Sequence, residues 1–213
     1  AWDRPLVAVN HVHAHLQSAM LEAESIDLPA VALIVSGGHS NLYDAESVLD
    51  LRLLGRTIDD AAGEAFDKVA SILGLPYPGG PSIEKIAREG NPKAVDFPRS
   101  LMEKRSLDFS FSGLKTAVLY HCQGQDMKGQ NRVASMSRGE IADIAASFQA
   151  AVVDVLVRKT RWAAEQIGAK TVLMGGGVAC NGVLREAMRK MCDKERLTLM
   201  IAPKSLCTDN AAM

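Results

Sequence analysis

The sequence predicts an α/β fold in which two lobes share a cleft. Near both ends of the chain, an apolar stretch of strand character runs into a glycine-rich turn and then a helix. Residues 76–135 between them are rich in proline, glycine and charge, and favour short helices. Strands that alternate with helices are typical of sheets covered by helices, and such folds bind ligands where strands end in turns. We place the boundary between the lobes near residues 95–135.

Length and composition agree with a globular protein of one large or two small domains. The 213 residues are 47% hydrophobic, and 24 basic residues balance 25 acidic ones. The net charge of −1 excludes a polybasic nucleic-acid coat, although not RNA binding through a local patch. The longest apolar run, residues 30–35, is far shorter than the roughly 20 residues of a membrane span. No signal peptide is visible, and the four cysteines form no C-x-x-C pair, which favours a reducing cytosol.

The first third of the chain predicts four strands and two helices. The strands are expected at residues 6–9, 30–35, 41–43 and 51–54. The second of these is apolar throughout, as in a strand buried on both faces. One helix is expected over residues 11–24, and Asp59 is predicted to cap another that ends at Gly74.

The last third predicts a long helix, two strands and a shorter helix. Ser137 and Glu140 form a capping-box signature that opens the long helix, which ends at Gly168. Strands follow at residues 171–174 and 197–201, with a helix over residues 181–191 between them.

The predicted organisation has three parts. Residues 1–95 form the remainder of an N-terminal lobe, residues 96–135 a helical insertion, and residues 136–213 a C-terminal lobe. The chain lacks an initiator Met, and Thr208 or Asp209 would cap a helix of which only the first turn is present. We therefore expect a fragment of a longer protein, truncated at both ends.

Three histidines lie at the start of the first predicted helix. His11 and His15 are four residues apart, so they share a helix face and lie close enough to bind one cation. His13 points to the other side, and no Glu adjoins His11 as in the H-E-x-x-H motif of zinc proteases. Asp209 is a candidate third ligand that would leave coordination positions open. The alternative is an ordinary pair of solvated or buried histidines.

Two glycine turns, residues 36–38 and 175–177, each follow an apolar strand. Glycines there let backbone N–H groups approach a phosphate without a Cβ in the way. The second turn also leads into a helix N-terminus, which favours anions. The pair suggests a nucleotide held between the lobes, and the alternative is two tight turns.

Three further segments have both structural and functional interpretations. Asp60, Glu64 and Asp67 share a helix face, where their negative charges repel one another. This pattern indicates either a ligand that interacts favourably with the carboxylates or a solvated acidic surface. Residues 109–115 are expected to pack, although they could form a hinge or a stacking site for an RNA base. The basic cluster at residues 158–161 is expected on the surface.

Seven motifs occur in order along the chain: Asn10-His11-x-x-x-His15, Val35-Ser36-Gly37-Gly38-His39, Ile58 to Lys68, Tyr77-Pro78-Gly79-Gly80-Pro81, Phe109 to Thr116, Gly175-Gly176-Gly177-Val178-Ala179-x-Asn181, and Thr208-Asp209-Asn210. Together they closely resemble the TsaD family, the tRNA threonylcarbamoyladenosine transferases once classed as O-sialoglycoprotein endopeptidases. The resemblance runs from about residue 6 to the end, and its most specific part is the acidic block at residues 59–68.

The resemblance implies an actin-like (sugar kinase/heat-shock type) two-lobed α/β fold. It also implies transfer of a threonylcarbamoyl group from threonylcarbamoyl-AMP to N6 of adenosine 37 in tRNAs that read codons beginning with A. One divalent metal ion, iron or zinc, would be bound by His11, His15 and Asp209, with no catalytic side chain beyond these ligands. The adenylate would be held by Ile34, Val35, Ser36, Gly37, Gly38, Asp67, Gly80, Glu84 and Asn181.

The implied partners are tRNA, a paralogous actin-like subunit of the TsaB type and a small ATPase of the TsaE type, in the cytoplasm and without membrane attachment. Three features depart from the family pattern: the opening strand and the turn after it are absent, the end of the final helix is missing, and His13 is additional. His-x-His-x-His occurs in related carbamoyltransferases of hydrogenase maturation and antibiotic biosynthesis, which lack the acidic block and form the second hypothesis. A metalloprotease and a non-catalytic actin-like scaffold are the other hypotheses.

Overall fold

A computed structural model describes residue 5 and residues 8–21, 25–47, 50–102, 106–124 and 132–208 of the chain. Its strands are β1 (Ala30–Val35), β2 (Ser40–Ala45), β3 (Leu51–Arg56), β4 (Thr171–Gly175) and β5 (Thr198–Ile201). Its α-helices are α1 (His11–Ser18), α2 (Ala62–Ile72), α3 (Gly79–Ala87), α4 (Ser112–Gln123), α5 (Arg138–Ile167), α6 (Gly182–Glu195) and α7 (Lys204–Cys207). Short 3₁₀ helices span Arg132–Ser135 and Gly177–Cys180. Among the residues so described, no helix has the length and apolar character needed to cross a bilayer.

The five strands form one mixed sheet in the order β3-β2-β1-β4-β5. β1 pairs antiparallel with β2 and β2 with β3, whereas β4 runs parallel to both β1 and β5. Parallel neighbours need a crossover connection. Here the helices α2 to α5 connect β3, at one edge of the sheet, to β4, which lies beside β1. The α/β character predicted from the sequence is confirmed.

β1 lies at the centre of the sheet and is buried on both faces, as its apolar run predicts. Its alternate residues Val31, Leu33 and Val35 belong to the main core. In that core Phe66 of α2 meets Phe148 of α5 edge-on, with ring centroids 5.2 Å apart. The other face of β1 packs against α1 in a smaller cluster. The sheet therefore has a thick helical layer on one face and α1 on the other.

The strands at the two ends of the chain lie in this one sheet, with β1 beside β4. The sequence analysis assigned them to different lobes, residues 1–95 and 136–213. That difference arises because pairing between distant strands leaves no local pattern in the sequence. The three domain boundaries themselves stay a prediction.

The predicted ends of the long helix are confirmed. Ser137 and Glu140 form the reciprocal capping box at the start of α5, and Gly168 adopts the left-handed conformation at its end. Gly74 likewise has φ +68° just beyond α2.

The predicted role of Asp59 is wrong. α2 begins after Ala61 without a side-chain cap. The Asp59 carboxylate instead accepts hydrogen bonds from the backbone N–H groups of Phe111 and Ser112, at 2.9 and 3.3 Å, and from the hydroxyls of Ser110 and Ser112. Asp59 therefore caps α4, an element that is distant in sequence.

The expectation of a solvated basic cluster is wrong for Lys159, whose side chain is fully buried. Its Nζ donates hydrogen bonds to the carbonyls of Leu101, Ser106 (3.1 Å) and Asp108 (2.6 Å). Burial lowers the pKa of Lys159, and the Asp108 charge partly offsets this effect. Residues 109–115 pack as expected, since Phe109 and Phe111 are buried and stack on each other.

The ends of the chain differ from prediction where they are described. Ala8 and Val9 form no strand, and residues 6 and 7 lie outside the described part. α1 ends at Ser18, earlier than predicted, and residues 22–24 are not described. Thr208 has an extended backbone after α7. Asp209, the other predicted cap, lies outside the described residues, as does the rest of the chain after it.

Candidate functional site

A cavity of about 740 Å³ opens where strands β1 and β4 end in their glycine turns. Its walls come from these two turns, from α2, from α3, and from single residues at the start of α1 and after α7. The residues that line it are His11, Ser36, Gly37, Gly38, His39, Gly63, Phe66, Asp67, Tyr77, Pro78, Gly80, Pro81, Glu84, Gly177, Val178, Cys180, Asn181 and Thr208. Four separate segments of the chain thus contribute residues that the sequence analysis associated with an adenylate.

The turn after β1 is held closed by Ser36. The Ser36 N–H donates to the His39 carbonyl at 2.8 Å, and the His39 N–H donates to Ser36 Oγ at 3.2 Å. A Cβ added at Gly37 or Gly38 would meet nothing within 4 Å, so open space lies beside both residues. At Gly63 of α2, by contrast, a Cβ would lie 2.6 Å from the Ser36 carbonyl. The helix therefore packs directly on the turn and keeps it rigid.

Ile34 and Val35 were expected to contact the adenylate, but both are fully buried within β1 and do not line the cavity. Their contribution is indirect. The Val35 carbonyl closely approaches Gly176, where a Cβ would clash with it and where φ is +93°. The strand thereby sets how near the second glycine turn comes to the first.

Asp67 lines the cavity and also organises the start of α3. Its Oδ1 accepts a hydrogen bond from the Gly79 N–H at 2.7 Å. A Cβ at Gly79 would lie 2.5 Å from the Asp67 Cα, so only glycine allows this approach. Gly80 has no atom near its Cβ direction, and its backbone faces open space.

Asn181 and Glu84 meet at the start of α6. Asn181 Oδ1 accepts from the Leu184 N–H at 3.0 Å, and its Nδ2 donates to Gln149 Oε1 at 2.8 Å. Glu84 Oε1 accepts from the Gly182 N–H at 3.2 Å. The carboxylate of Glu84 thus already interacts with the helix N-terminus, which disfavours a phosphate at the same position. This corrects the expectation that the start of α6 attracts an anion.

The two histidines predicted to share a cation lie side by side. The ring centroids of His11 and His15 are 4.7 Å apart, with an angle of 67° between the planes. Asn10 caps α1 by accepting from the N–H groups of Val12 and His13. His11 lines the cavity and His15 is fully buried. His13 is half-buried and is not part of the cavity wall.

α1 is fastened to the sheet next to these histidines. A Cβ at Gly175 of β4 would lie 2.5 Å from the His15 carbonyl oxygen. The imidazole donors of His11 and His15 suit a borderline cation. Asp209, the predicted third ligand, lies outside the described residues. Among the described residues alone, no group of three His, Cys, Asp or Glu side chains is placed to hold a metal.

Lysine side chains and the start of α4 stabilise the carboxylates of the acidic block at residues 59–68. Lys68 pairs with Asp60 at 2.7 Å and with Glu64 at 2.9 Å, and Lys115 pairs with Asp60 at 3.2 Å. Burial by itself would raise the pKa of Asp60, but the two lysines outweigh it and the pKa lies below its ordinary value. The pKa of Asp59 is lowered in the same way, because the hydrogen bonds from Ser110 and Ser112 outweigh burial. The ion pairs with the two lysines explain how Asp60 and Glu64 can lie close together on one helix face. Neither of the two interpretations from the sequence, a bound ligand or a solvated acidic surface, is needed for them.

The cavity also contains residues that the sequence analysis gave no ligand role, including His39, Tyr77 and Cys180. A signal for His39 was present, because it directly follows the Gly37-Gly38 pair. Cys180 had no such signal, since it reaches the cavity only through the fold.

Comparison with known proteins agrees with these observations. The family model described as TsaD: tRNA N6-adenosine threonylcarbamoyltransferase matches residues 1–213. Curated relatives with that name include one from Moorella thermoacetica, 52% identical over 213 residues, which cover 100% of this chain and 60% of the relative. Another, from Trichlorobacter lovleyi, is 51% identical over 209 residues, which cover 98% of this chain and 59% of the relative. The chain thus spans about three fifths of the length of these relatives.

Solved structures of full-length HypF and of HypF from T. kodakarensis resemble the fold, each with a TM-score of 0.69. The matches cover 98% of this chain and 41% and 35% of those chains, at 14% and 17% sequence identity. At this identity the likeness shows the fold alone, and it confirms the predicted actin-like α/β class.

Proposed function

This chain belongs to the TsaD family of tRNA N6-adenosine threonylcarbamoyltransferases, and on that premise we propose that it carries the catalytic site for threonylcarbamoyl transfer. The substrates are threonylcarbamoyl-AMP and adenosine 37 of tRNAs that read codons beginning with A. The product is threonylcarbamoyladenosine at N6, with AMP as leaving group.

The observation that carries this proposal is the convergence of seven of the nine expected adenylate residues, all but Ile34 and Val35, on one cavity. Ser36, Gly37 and Gly38 come from the turn after β1, and Asp67 and Gly80 from α2 and α3. Glu84 and Asn181 complete the group at the junction of α3 and α6. A volume of about 740 Å³ is of the size that nucleotide-sized ligands occupy.

We also propose that His11, His15 and Asp209 hold one divalent metal ion, iron or zinc. The 4.7 Å separation of the two imidazole rings supports this, as does the position of His11 on the cavity wall. When bound, the metal supplies Lewis acidity that polarises the carbamoyl carbonyl.

In the reaction, N6 of adenosine forms a bond to the carbamoyl carbon and loses a proton. The bond between that carbon and the bridging phosphate oxygen breaks, and the electron pair leaves with AMP. The open backbone at Gly37 and Gly38 suits hydrogen bonding to the phosphate, whose charge increases as the bond breaks. Because N6 is a weak nucleophile, orientation of the two substrates supplies much of the rate.

The hydrogen bonds already made by Asp67, Glu84 and Asn181 leave these side chains prearranged rather than mobile. Prearranged polar groups lose little entropy when a ligand binds. They suit the ribose hydroxyls of the adenylate better than its phosphate, because two of the three are carboxylates.

The proposal extends to the setting in which the enzyme works. A paralogous TsaB-type subunit and a small TsaE-type ATPase are the expected protein partners, and the cytoplasm is the expected location. Family membership supports these expectations about partners and location. Purification of the complex from cells would test the expected protein partners.

The test is nucleoside mass spectrometry of tRNA from cells depleted of the protein that contains this chain. We expect threonylcarbamoyladenosine to disappear, and to return with the wild-type gene but not with His11→Ala or His15→Ala. Elemental analysis of the same variants should show loss of bound metal, whereas His13→Ala, which lies off the cavity, should retain both metal and activity. An unchanged level of threonylcarbamoyladenosine after depletion would contradict the proposal.

A further inference from the structure

His39 lies on the cavity wall without a role in the site described so far. It is the last residue of the turn after β1, and it directly follows the two glycines whose backbone faces open space. Its side chain is half-buried, so the ring is partly held by the protein and partly accessible from the cavity.

Ser36 orients the His39 ring from within the same turn. Ser36 Oγ accepts a hydrogen bond from the His39 N–H at 3.2 Å and lies 3.5 Å from His39 Nδ1. The Ser36 hydroxyl carries one hydrogen besides the oxygen that accepts from the backbone, and when this hydrogen points to Nδ1 that ring nitrogen is the acceptor. In a neutral imidazole whose Nδ1 accepts, the ring proton is on Nε2. The contact with Ser36 is therefore compatible with the tautomer in which Nε2 is the donor.

The position of His39 differs from that of the predicted metal pair. Its ring centroid is 6.3 Å from that of His11, whereas His11 and His15 are 4.7 Å apart. His39 therefore lies on the cavity wall beside His11, next to the open glycine backbone. In an acyl adenylate, the carbonyl and the phosphate share one bridging oxygen, so the two groups lie side by side. With the carbonyl near His11 and the phosphate at the glycine turn, as proposed above, the phosphate lies beside His39.

We propose that His39 is a catalytic residue whose Nε2–H donates a hydrogen bond to the phosphate of threonylcarbamoyl-AMP. This inference rests on the function proposed above. As the bond from the carbamoyl carbon to the bridging oxygen breaks, the electron pair stays on the phosphate, and a fixed donor stabilises the added charge. His39 transfers no proton in this step, and the proton released from N6 leaves separately.

The test uses the full-length protein with its partners, supplied with threonylcarbamoyl-AMP and tRNA, and compares three substitutions of His39. His39→Ala removes both ring nitrogens. His39→Gln places an amide N–H near the position of Nε2, and His39→Asn places its amide near Nδ1. We expect kcat to fall about 10²- to 10³-fold for alanine, as for loss of one oxyanion-type donor. Glutamine should restore most of this loss and asparagine should not, with the KM for tRNA unchanged in all three.

Two controls separate this role from other roles. His13→Gln, a histidine off the cavity, should behave as wild type. Metal content should remain at the wild-type level in every His39 variant. The inference is overturned if asparagine restores activity and glutamine does not, because His39 would then only hold the turn through Ser36. Loss of metal in the variants, or kcat unchanged by alanine, overturns it as well. A wild-type protein that forms no threonylcarbamoyladenosine refutes the proposed function itself, whereas a fully active wild type with fully active variants refutes only the role of His39.

Discussion

Replacing Gly175 with alanine tests how the sheet positions the histidine helix. The new Cβ would lie 2.5 Å from the His15 carbonyl oxygen, and Cβ contacts essentially never fall below 3.0 Å. α1 or β4 must therefore move by at least 0.5 Å, which is the difference between these two distances. Gly175 lies in a strand whose residues are all buried, so neither α1 nor β4 can move into empty space.

Overpacking of this kind destabilises a protein by about 1–3 kcal/mol. For a chain of this length that corresponds to a fall in Tm of about 2–4 °C per kcal/mol. Where α1 moves, His15 moves with it, so the metal content expected from the proposed site should fall together with stability.

The assay is thermal unfolding followed by circular dichroism, with elemental analysis of the purified protein. Gly177→Ala is the matched control, since a Cβ there meets nothing within 4 Å, and its stability should stay within about 0.5 kcal/mol of wild type. A Gly175→Ala protein with the Tm and metal content of wild type would refute the argument that this glycine sets the distance between α1 and the sheet.

Three other substitutions test contacts described above. Asp59→Ala should reduce the free energy of unfolding by about 0.5–2 kcal/mol through loss of the α4 cap. Folding lowers the pKa of Asp59, so the difference in unfolding free energy between wild type and variant should be fully present above about pH 3.9. It should disappear as the pH falls through the pKa of Asp59 in the folded protein, as measured by urea titrations at a series of pH values. Lys159→Met should cost about 2–4 kcal/mol in chemical denaturation by leaving buried carbonyls unpaired, whereas exposed Arg158→Ala should change stability by less than about 1 kcal/mol. Asn181→Ala should lose about 1–3 kcal/mol in the same measurement, so its effect on the proposed adenylate binding must be compared at equal folded fraction; unaltered stability would show that its cap contributes nothing.

Features that depend on neighbouring residues were predictable from the sequence. The capping box at Ser137 and the left-handed Gly168 mark both ends of α5, because each acts within one helical turn. The apolar run of β1 indicated a strand buried on both faces for the same reason. The motifs that resemble the TsaD family also pointed to most of the residues that line the cavity.

Features that depend on contacts between distant segments required the tertiary structure. Asp59 could not be assigned to α4 from its local pattern, because its partner Ser110 is 51 residues away. Lys159 looked like a surface residue because its carbonyl partners lie 51 to 58 residues earlier in the chain. The pairing of β1 with β4 likewise joins segments from opposite ends of the chain and brings the two glycine turns to one edge of the sheet. The sequence therefore specified which chemical groups are present and how each local segment begins and ends. Packing of the sheet and its helices decided which of those groups face the same cavity, because burial and hydrogen bonding are satisfied only when distant segments meet.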